Sequence, residues 1–293
     1  MSIRSIDKNL PTFIGVPLDA PYSAQFFATI RDLRLGLQYP HVWALGAIRQ
    51  ITNAYKKTIL GPWWITISMC WFIFGLSYLR IALKGSDRSW GEAVSFVGTG
   101  YIAFAFLSGA ITSSAAIFSG QQGPNSSSTL PISISIFRVT LANVLDFFHE
   151  ALVIVVLIAA FGIRPSWNWI QVLPAIVSII VFHIGLIMWL GPLVCRFRDV
   201  GPIVSMVQRI AIFLSPIFWS VDQIEQTDQF NLIKWNPYTY FLSAFRDPML
   251  NISHATIANP LMVSFIIAFT SLSLGLLVFS YSRSRLNFWA TTS

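Results

Sequence analysis

Residues 55–64 read Tyr55-Lys56-Lys57-Thr58-Ile59-Leu60-Gly61-Pro62-Trp63-Trp64, and the chemistry of the chain changes within them. Two cations precede a Gly-Pro break and two tryptophans follow it. Downstream begins the first apolar run long enough to cross a bilayer, which takes roughly 20 residues. Upstream, Val42, Leu45, Ile48, Ile51 or Thr52, and Tyr55 recur at helical spacing, with Arg49, Gln50, Asn53, Lys56 and Lys57 at the other positions. That pattern predicts an amphipathic helix over 41–58, started by Pro40 and lying in the membrane interface. The plainer alternative is a short soluble helix packed on a partner. No secretory signal is expected, because the first insertable run starts near Trp63 instead of inside the first 15–30 residues or so.

Working outward, the 293 residues are 55% hydrophobic and only 11% charged, with a mean hydropathy of +0.64. A soluble domain carries about 25% charged residues, so the composition predicts an integral membrane protein. Six runs reach spanning length, at about 63–83, 93–119, 134–160, 169–194, 203–221 and 257–281. Lipid offers no hydrogen-bond partners, so the runs are expected to be helices, and no alternating strands suggest a β-barrel. The fold class is therefore all-α and polytopic. With the amino terminus inside, the inner segments hold thirteen of the nineteen lysines and arginines. Arg80, Lys84, Arg88, Arg164, Lys234 and Arg246 fall outside. This bias, and the even number of spans, predict both termini in the cytoplasm.

The motifs of soluble chemistry are missing. There is no phosphate-binding G-x-x-x-x-G-K-[ST] loop and no G-x-S-x-G elbow. His149-Glu150 lacks the second histidine of H-E-x-x-H. Cys70 and Cys195 show neither disulfide nor metal-ligand spacing and read as buried thiols. Ionisable groups inside apolar runs are costly and commonly functional. Asp146 and Glu150 share a face with His149 beside them and Arg138 two turns earlier. This stripe either lines a conduit, pairs with a neighbouring helix or reaches an interface by tilt. His183 reads as a packing histidine. Trp63, Trp64, Trp90, Trp167, Trp169, Trp219 and Trp235 fit interfacial belts, although aromatic rings also stack on sugars.

Three groups of positions carry a resemblance to the ABC-2 type permeases, specifically the branch exporting polysaccharides such as O antigen (lipopolysaccharide), capsule and teichoic acid. Tyr55, Lys56, Thr58, Leu60, Gly61, Pro62 and Trp64 resemble that branch's Tyr-Lys/Arg-x-[ST]-x-Leu-Gly-Pro-x-Trp signature. Arg196-Phe197-Arg198-Asp199 is similar to its turn between spans four and five. Asn236-Pro237-Tyr238 through Ala244-Phe245-Arg246-Asp247 is similar to its external element before the last span. The likeness runs from about residue 40 to 285.

The resemblance implies the ABC-2 (type V exporter-like) organisation. Residues 1–40 stay unassigned, 41–62 form the interface helix and turn, 63–281 the six-helix domain, and 282–293 a cytoplasmic tail. By position, the Gly-, Pro- and Ser-rich loop 120–131 is the expected coupling loop, with Gln121, Gln122 and Asn125, together with Arg49, Lys56 and Lys57, as ATPase contacts. Leu60, Gly61, Pro62, Trp63 and Trp64 make the junction that passes movement to span one. Segment 222–256 is too apolar for a solvated loop, given Ile224, Phe230, Leu232, Ile233 and Trp235. It is expected to re-enter the membrane edge and gate the outer exit, with Trp235, Asn236, Pro237, Tyr238, Arg246 and Asp247 as its residues. Arg246-Asp247 reads as a local ion pair. Arg196 and Arg198 either bind headgroup phosphate or obey the charge bias, and Asp199 is expected to cap span five.

The resemblance further implies a homodimer and two copies of a cytoplasmic ABC ATPase, since a chain without a phosphate loop must borrow its energy source. The permease is then not an enzyme and binds no cofactor itself; ATP and Mg²⁺ sit at the partner. Its cargo is a lipid-linked glycan, its site the bacterial inner membrane among membrane lipids, and it binds no nucleic acid. Two alternatives remain: a membrane glycosyl- or acyltransferase, for which Asp222, Glu225 and Asp228 are the loop acids, and an ABC-2 exporter of drugs or small lipids.

Overall fold

The computed structural model describes residues 20–61, 63–84, 89–118, 130–161, 165–221, 233–253, 258–286 and 289. Among them there are helices and turns and no strand. The helices are α1 (Tyr22–Leu37), α2 (Pro40–Ala54), α3 (Trp63–Lys84), α4 (Trp90–Ala116), α5 (Ser133–Phe161), α6 (Val172–Arg196), α7 (Val200–Leu214), α8 (Pro237–Leu250) and α9 (Pro260–Ser282), with a 3-10 turn Trp167–Gln171 before α6.

Five helices, α3, α4, α5, α6 and α9, are long and apolar enough to cross a membrane. They answer to the first, second, third, fourth and sixth of the six runs. The fifth run, read over 203–221, is broken. Its helix α7 has 15 residues, a rise of about 22 Å against a hydrocarbon core of about 30 Å. The chain leaves the helix at Ser215, whose backbone is extended (φ −98°, ψ 145°). Pro216 follows, and a residue preceding proline is pushed out of the helical region by the ring. Residues 1–40, left without structure by the sequence, contain α1.

α4 is the axis of the bundle. Of its most apolar window 72% is buried, against 17% for α5 and 22% for α9. Glycine, alanine, serine and threonine make up much of it, and small side chains let neighbouring backbones approach. α3, α5, α6, α7 and α8 all pack on it. α6 and α9 form the most extensive pairing, and glycines set its distance: a methyl on Gly275 would stand 2.5 Å from the Gly185 carbonyl oxygen.

Large apolar side chains point outward along the spans, among them Trp71 at 73%, Leu173 at 63% and Met262 at 64% exposure. In water such a surface would be an association liability; against acyl chains it is the expected solvent contact. Trp63, Trp64, Trp90, Trp167 and Trp235 are exposed. Trp169 and Trp219 are half-buried, and their indole N–H groups donate to Met249 O (3.2 Å) and Phe213 O (3.3 Å). The paired polar handle is the usual condition for burying an indole.

Candidate functional site

One end of the bundle carries α1, α2, the ends of α4 and α9 and the start of α5. Here the junction of the opening sequence takes shape. α2 stops at Ala54, and the Thr58 amide and hydroxyl both donate to Tyr55 O, at 3.1 and 2.8 Å. Lys57 (φ +71°) and Gly61 (φ +55°) both adopt the left-handed region. Only glycine does so freely, so Lys57 stores backbone strain at this corner. The Trp63 and Trp64 amides donate to Leu60 O and Gly61 O, each at 3.3 Å, and start α3. Arg49, Lys56, Lys57 and Leu60 are exposed. Pro62 lies outside the described residues, as do Gln121, Gln122 and Asn125 of the expected coupling loop.

The polar stripe of α5 lies beside this junction. Thr66, in the first turn of α3, donates its hydroxyl to His149 O at 2.9 Å. His149 is the seventeenth residue of α5, so the first half of α5 runs on past the start of α3, toward α1 and α2. α2 packs along that extension: the Trp43 and Phe137 rings are 6.1 Å apart, and the Arg138 side chain covers Gly46. Tyr55 lies close enough to Asp146 and Glu150 that burial, and then those two carboxylates, push its phenol above the usual tyrosine range. One oxygen of Glu150 is buried without a hydrogen-bond partner among the described residues. The His149 ring bonds within its own helix, to Leu145 O at 2.9 Å. Asp146, His149 and Glu150 therefore lie where α2, α3 and α5 meet, and Arg138 lies about two turns earlier, against Gly46 of α2.

Asp32, a residue the sequence reading passed over, is 3% exposed. Its carboxylate accepts from the Ser133 amide at 2.9 Å, which satisfies a free N–H in the first turn of α5. Its other oxygen pairs with Arg283 at 3.2 Å, one residue past α9. The Ser133 hydroxyl returns to Asp32 O at 2.7 Å. Three elements are thus tied at one carboxylate, immediately after the loop that leads into α5. The partners stand 101 and 251 positions apart in the chain, so no local pattern announces the cluster.

At the opposite end, the external-gate residues surround the break after α7. Trp235 is exposed, whereas every residue from Tyr238 to Asp247 is buried, so α8 is an internal element. Asn236 caps α8 by accepting from the Tyr238 amide at 3.0 Å, with Pro237 in the first helical position, where its missing N–H costs nothing. The Asn236 amide also donates to Leu214 O, the last residue of α7, at 3.0 Å. Arg246 pairs with Asp247 at 3.3 Å, as the sequence suggests, and also donates to Pro216 O at 2.6 Å. Arg80, tallied from sequence among the outside charges, is 2% exposed and donates to Phe218 O at 2.7 Å. Their guanidinium carbons lie 3.7 and 4.0 Å from the centroid of the Phe96 ring. Two cations on one aromatic ring thus hold the carbonyls of an interrupted helix, which lipid could not satisfy. Tyr238 donates to the Gln208 side chain, and Gln208 donates to Ser108 O at 3.3 Å, linking α8, α7 and α4. Ile224, Phe230, Leu232 and the loop acids Asp222, Glu225 and Asp228 lie outside the described residues.

At the turn between α6 and α7, Arg196, Arg198 and Asp199 are all exposed, and Arg196 lies 5.2 Å from the Trp289 ring. Asp199 does sit at the N-cap of α7, but its side chain makes no cap bond. Its backbone is helical (φ −67°, ψ −20°), whereas a capping side chain reaches the free amides from an extended residue. His183 is 1% exposed and meets the Ser113 hydroxyl at 3.0 Å, a packing contact between α4 and α6.

Comparison with known proteins adds the following. The family model described as ABC-2 type transporter matches residues 42–250, which takes in α2 through α8. Two curated relatives, each named O-antigen export system permease protein RfbA and each from Klebsiella pneumoniae, are 23% and 22% identical to this chain. Both matches cover 67% of this chain and 75% of the relative.

Proposed function

The chain belongs to the ABC-2 type transporter family, and from that premise we propose that it is the permease of an ATP-driven exporter of a lipid-linked polysaccharide. The family makes it a multi-pass membrane subunit of a transporter. The cargo rests on one observation, the two relatives named as O-antigen export permeases. The lysine and arginine bias supports placing the end that carries α1 and α2 in the cytoplasm, with the membrane being the bacterial inner membrane.

Two copies enclose the route in this reading. α7 supports that arrangement. It packs on α4 and slightly on α6, while Ile203, Met206, Val207, Ile210 and Phe213 are all exposed by half or more. Those positions share one helical face that waits for a second copy or for cargo. A separate ATPase supplies the energy, docking at the loop before α5 and at α2. Its stroke reaches α5 directly and reaches α3 through the corner at Lys57–Trp64. At the outer side, the Arg80–Phe96–Arg246 cluster keeps the broken backbone after α7 in place while α7 itself adjusts.

Deletion of the gene from its host tests the cargo. Surface polysaccharide disappears, its lipid-linked form accumulates inside the cell, and the intact chain restores export. A deletion strain with an unchanged surface glycan would overturn the assignment.

A further inference from the structure

α1 is built inside out for a helix in water. Its buried residues are Gln25, Thr29, Asp32 and Gly36, a polar and small stripe turned toward α5 and α9. Its outward side chains include Phe27 at 71%, Leu37 at 58% and Ile30 at 41% exposure. These three lie at helical spacing on a single face. A surface helix of a soluble protein shows the reverse, with its apolar stripe against the core. α1 therefore has a solvent other than water.

Two observations name that solvent. The helix starts on a lipid-facing stretch of a membrane span, where the Tyr22 hydroxyl donates to Leu277 O of α9 at 3.0 Å. Leu277 and Tyr281 of that span are themselves exposed, at 52% and 49%. Charge supplies the second observation. Arg31 and Arg34 are exposed, while Asp32, the single acid of α1, is turned inward and held by Ser133 and Arg283. The exposed charge of α1 is thus purely positive: Arg34 lies within the arc that Phe27, Ile30 and Leu37 span and Arg31 at its edge, where long apolar stems carry guanidinium groups from an apolar face to the headgroups. An interfacial helix bound to an anionic leaflet has this arrangement.

We infer that α1 lies in the inner-leaflet interface, its apolar face in the acyl boundary and Arg31 and Arg34 on the headgroups of anionic phospholipid. The surface falls outside the family match, which begins at residue 42, and the inference rests on the proposed cytoplasmic placement of this end of the bundle, not on the nature of the cargo. It also gives Asp32 a further role. A helix seated on the leaflet is bonded through that carboxylate to the first turn of α5, so lipid contact and the loop before α5 are mechanically joined.

The experiment uses the full chain in nanodiscs, with Phe27→Cys or Ile30→Cys carrying an environment-sensitive fluorophore. Both positions are exposed, so the fold is kept; the unlabelled-site parent, whose Cys70 is half-buried and Cys195 buried, serves as the blank. Nitroxide-bearing lipid should quench the label, aqueous iodide should not, and the protection should grow as phosphatidylglycerol replaces phosphatidylcholine. Arg31→Gln and Arg34→Gln should each shift the phosphatidylglycerol dependence about fivefold. Quenching by iodide in anionic nanodiscs, or equal behaviour with both lipids, would overturn the inference. So would protection from both quenchers, which would mean that a protein surface covers the face.

Discussion

The two ends of the bundle are held by buried charge clusters of opposite kind. At the end proposed to face outside, two guanidiniums converge on one phenylalanine ring and direct their donors to carbonyls within a single broken stretch, Pro216 and Phe218. At the end proposed to face the cytoplasm, one carboxylate from the second half of α1 joins the first turn of α5 and the residue after α9. The outer cluster repairs an irregular backbone and belongs to the bundle interior. The inner cluster links three segments far apart in the chain. The difference is between a cluster that completes the backbone of one interrupted element and one that couples separate elements to each other.

The largest test of that contrast is Arg246→Ala. It leaves Asp247 without its cation and Pro216 O without its donor, deep in the protein. Breaking a buried pair in this way costs about 3–5 kcal/mol, so the purified permease should lose folded yield and melt at a clearly lower temperature. Arg246→Lys should recover only part, because an ammonium lacks the planar fork. A wild-type melting curve for Arg246→Ala would remove the outer cluster from the account.

Asp32→Ala should cost less, about 2 kcal/mol, as a buried amide and a guanidinium lose their acceptor. Combined with Arg283→Met, the two losses should fall short of their sum, because one interaction is removed twice. Strict additivity in thermal unfolding would mean that the pair is not coupled. At the junction, Gly61→Ala places a Cβ in the left-handed region and should cost about 1 kcal/mol. In the proposed exporter its clearer signature is functional, with more ATP hydrolysed by the ATPase for each glycan exported. An unchanged ratio would reduce the corner to a simple anchor. Smallest of all, Asp199→Ala should stay within about 0.5 kcal/mol of wild type, the usual range for exposed positions, because its side chain caps nothing.

Much of the scaffold was legible in the sequence, because a span's hydropathy is a local property. The helices from Trp63, Trp90, Ser133, Val172 and Pro260 all follow from apolar runs. The fifth run misled because its composition stays apolar across Ser215-Pro216, while the backbone rule for residues before proline acts there regardless. That proline was the available signal. α1 escaped for the opposite reason. Its apolar positions Phe26, Phe27, Ile30, Leu33, Leu35 and Leu37 are interrupted by Arg31, Asp32 and Arg34 and make no spanning run, and the polar residues between them gain meaning only from partners far along the chain.

The site was legible to different degrees at the two ends. Arg246-Asp247 are sequence neighbours, and their pairing could be read directly. Arg80 reaches a carbonyl 138 positions away, and Asp32 reaches Arg283 across 251. Contacts of that range depend on how helices are assembled, which composition and periodicity do not encode. The α5 stripe shows the same limit. Its spacing identified one polar face, but its neighbours depend on how far α5 extends past the start of α3.

Reconstitution separates ATP-driven export from every other reading of this chain. The chain is placed in proteoliposomes with the host ABC ATPase proposed as its partner, and the host's lipid-linked glycan is loaded on the ATPase side. The account predicts glycan appearing in the lumen only with hydrolysable ATP, and none when the ATPase carries an inactivating change in its phosphate loop. Glycan crossing at the same rate without ATP, or no crossing while the ATPase turns over normally on the chain, would contradict it.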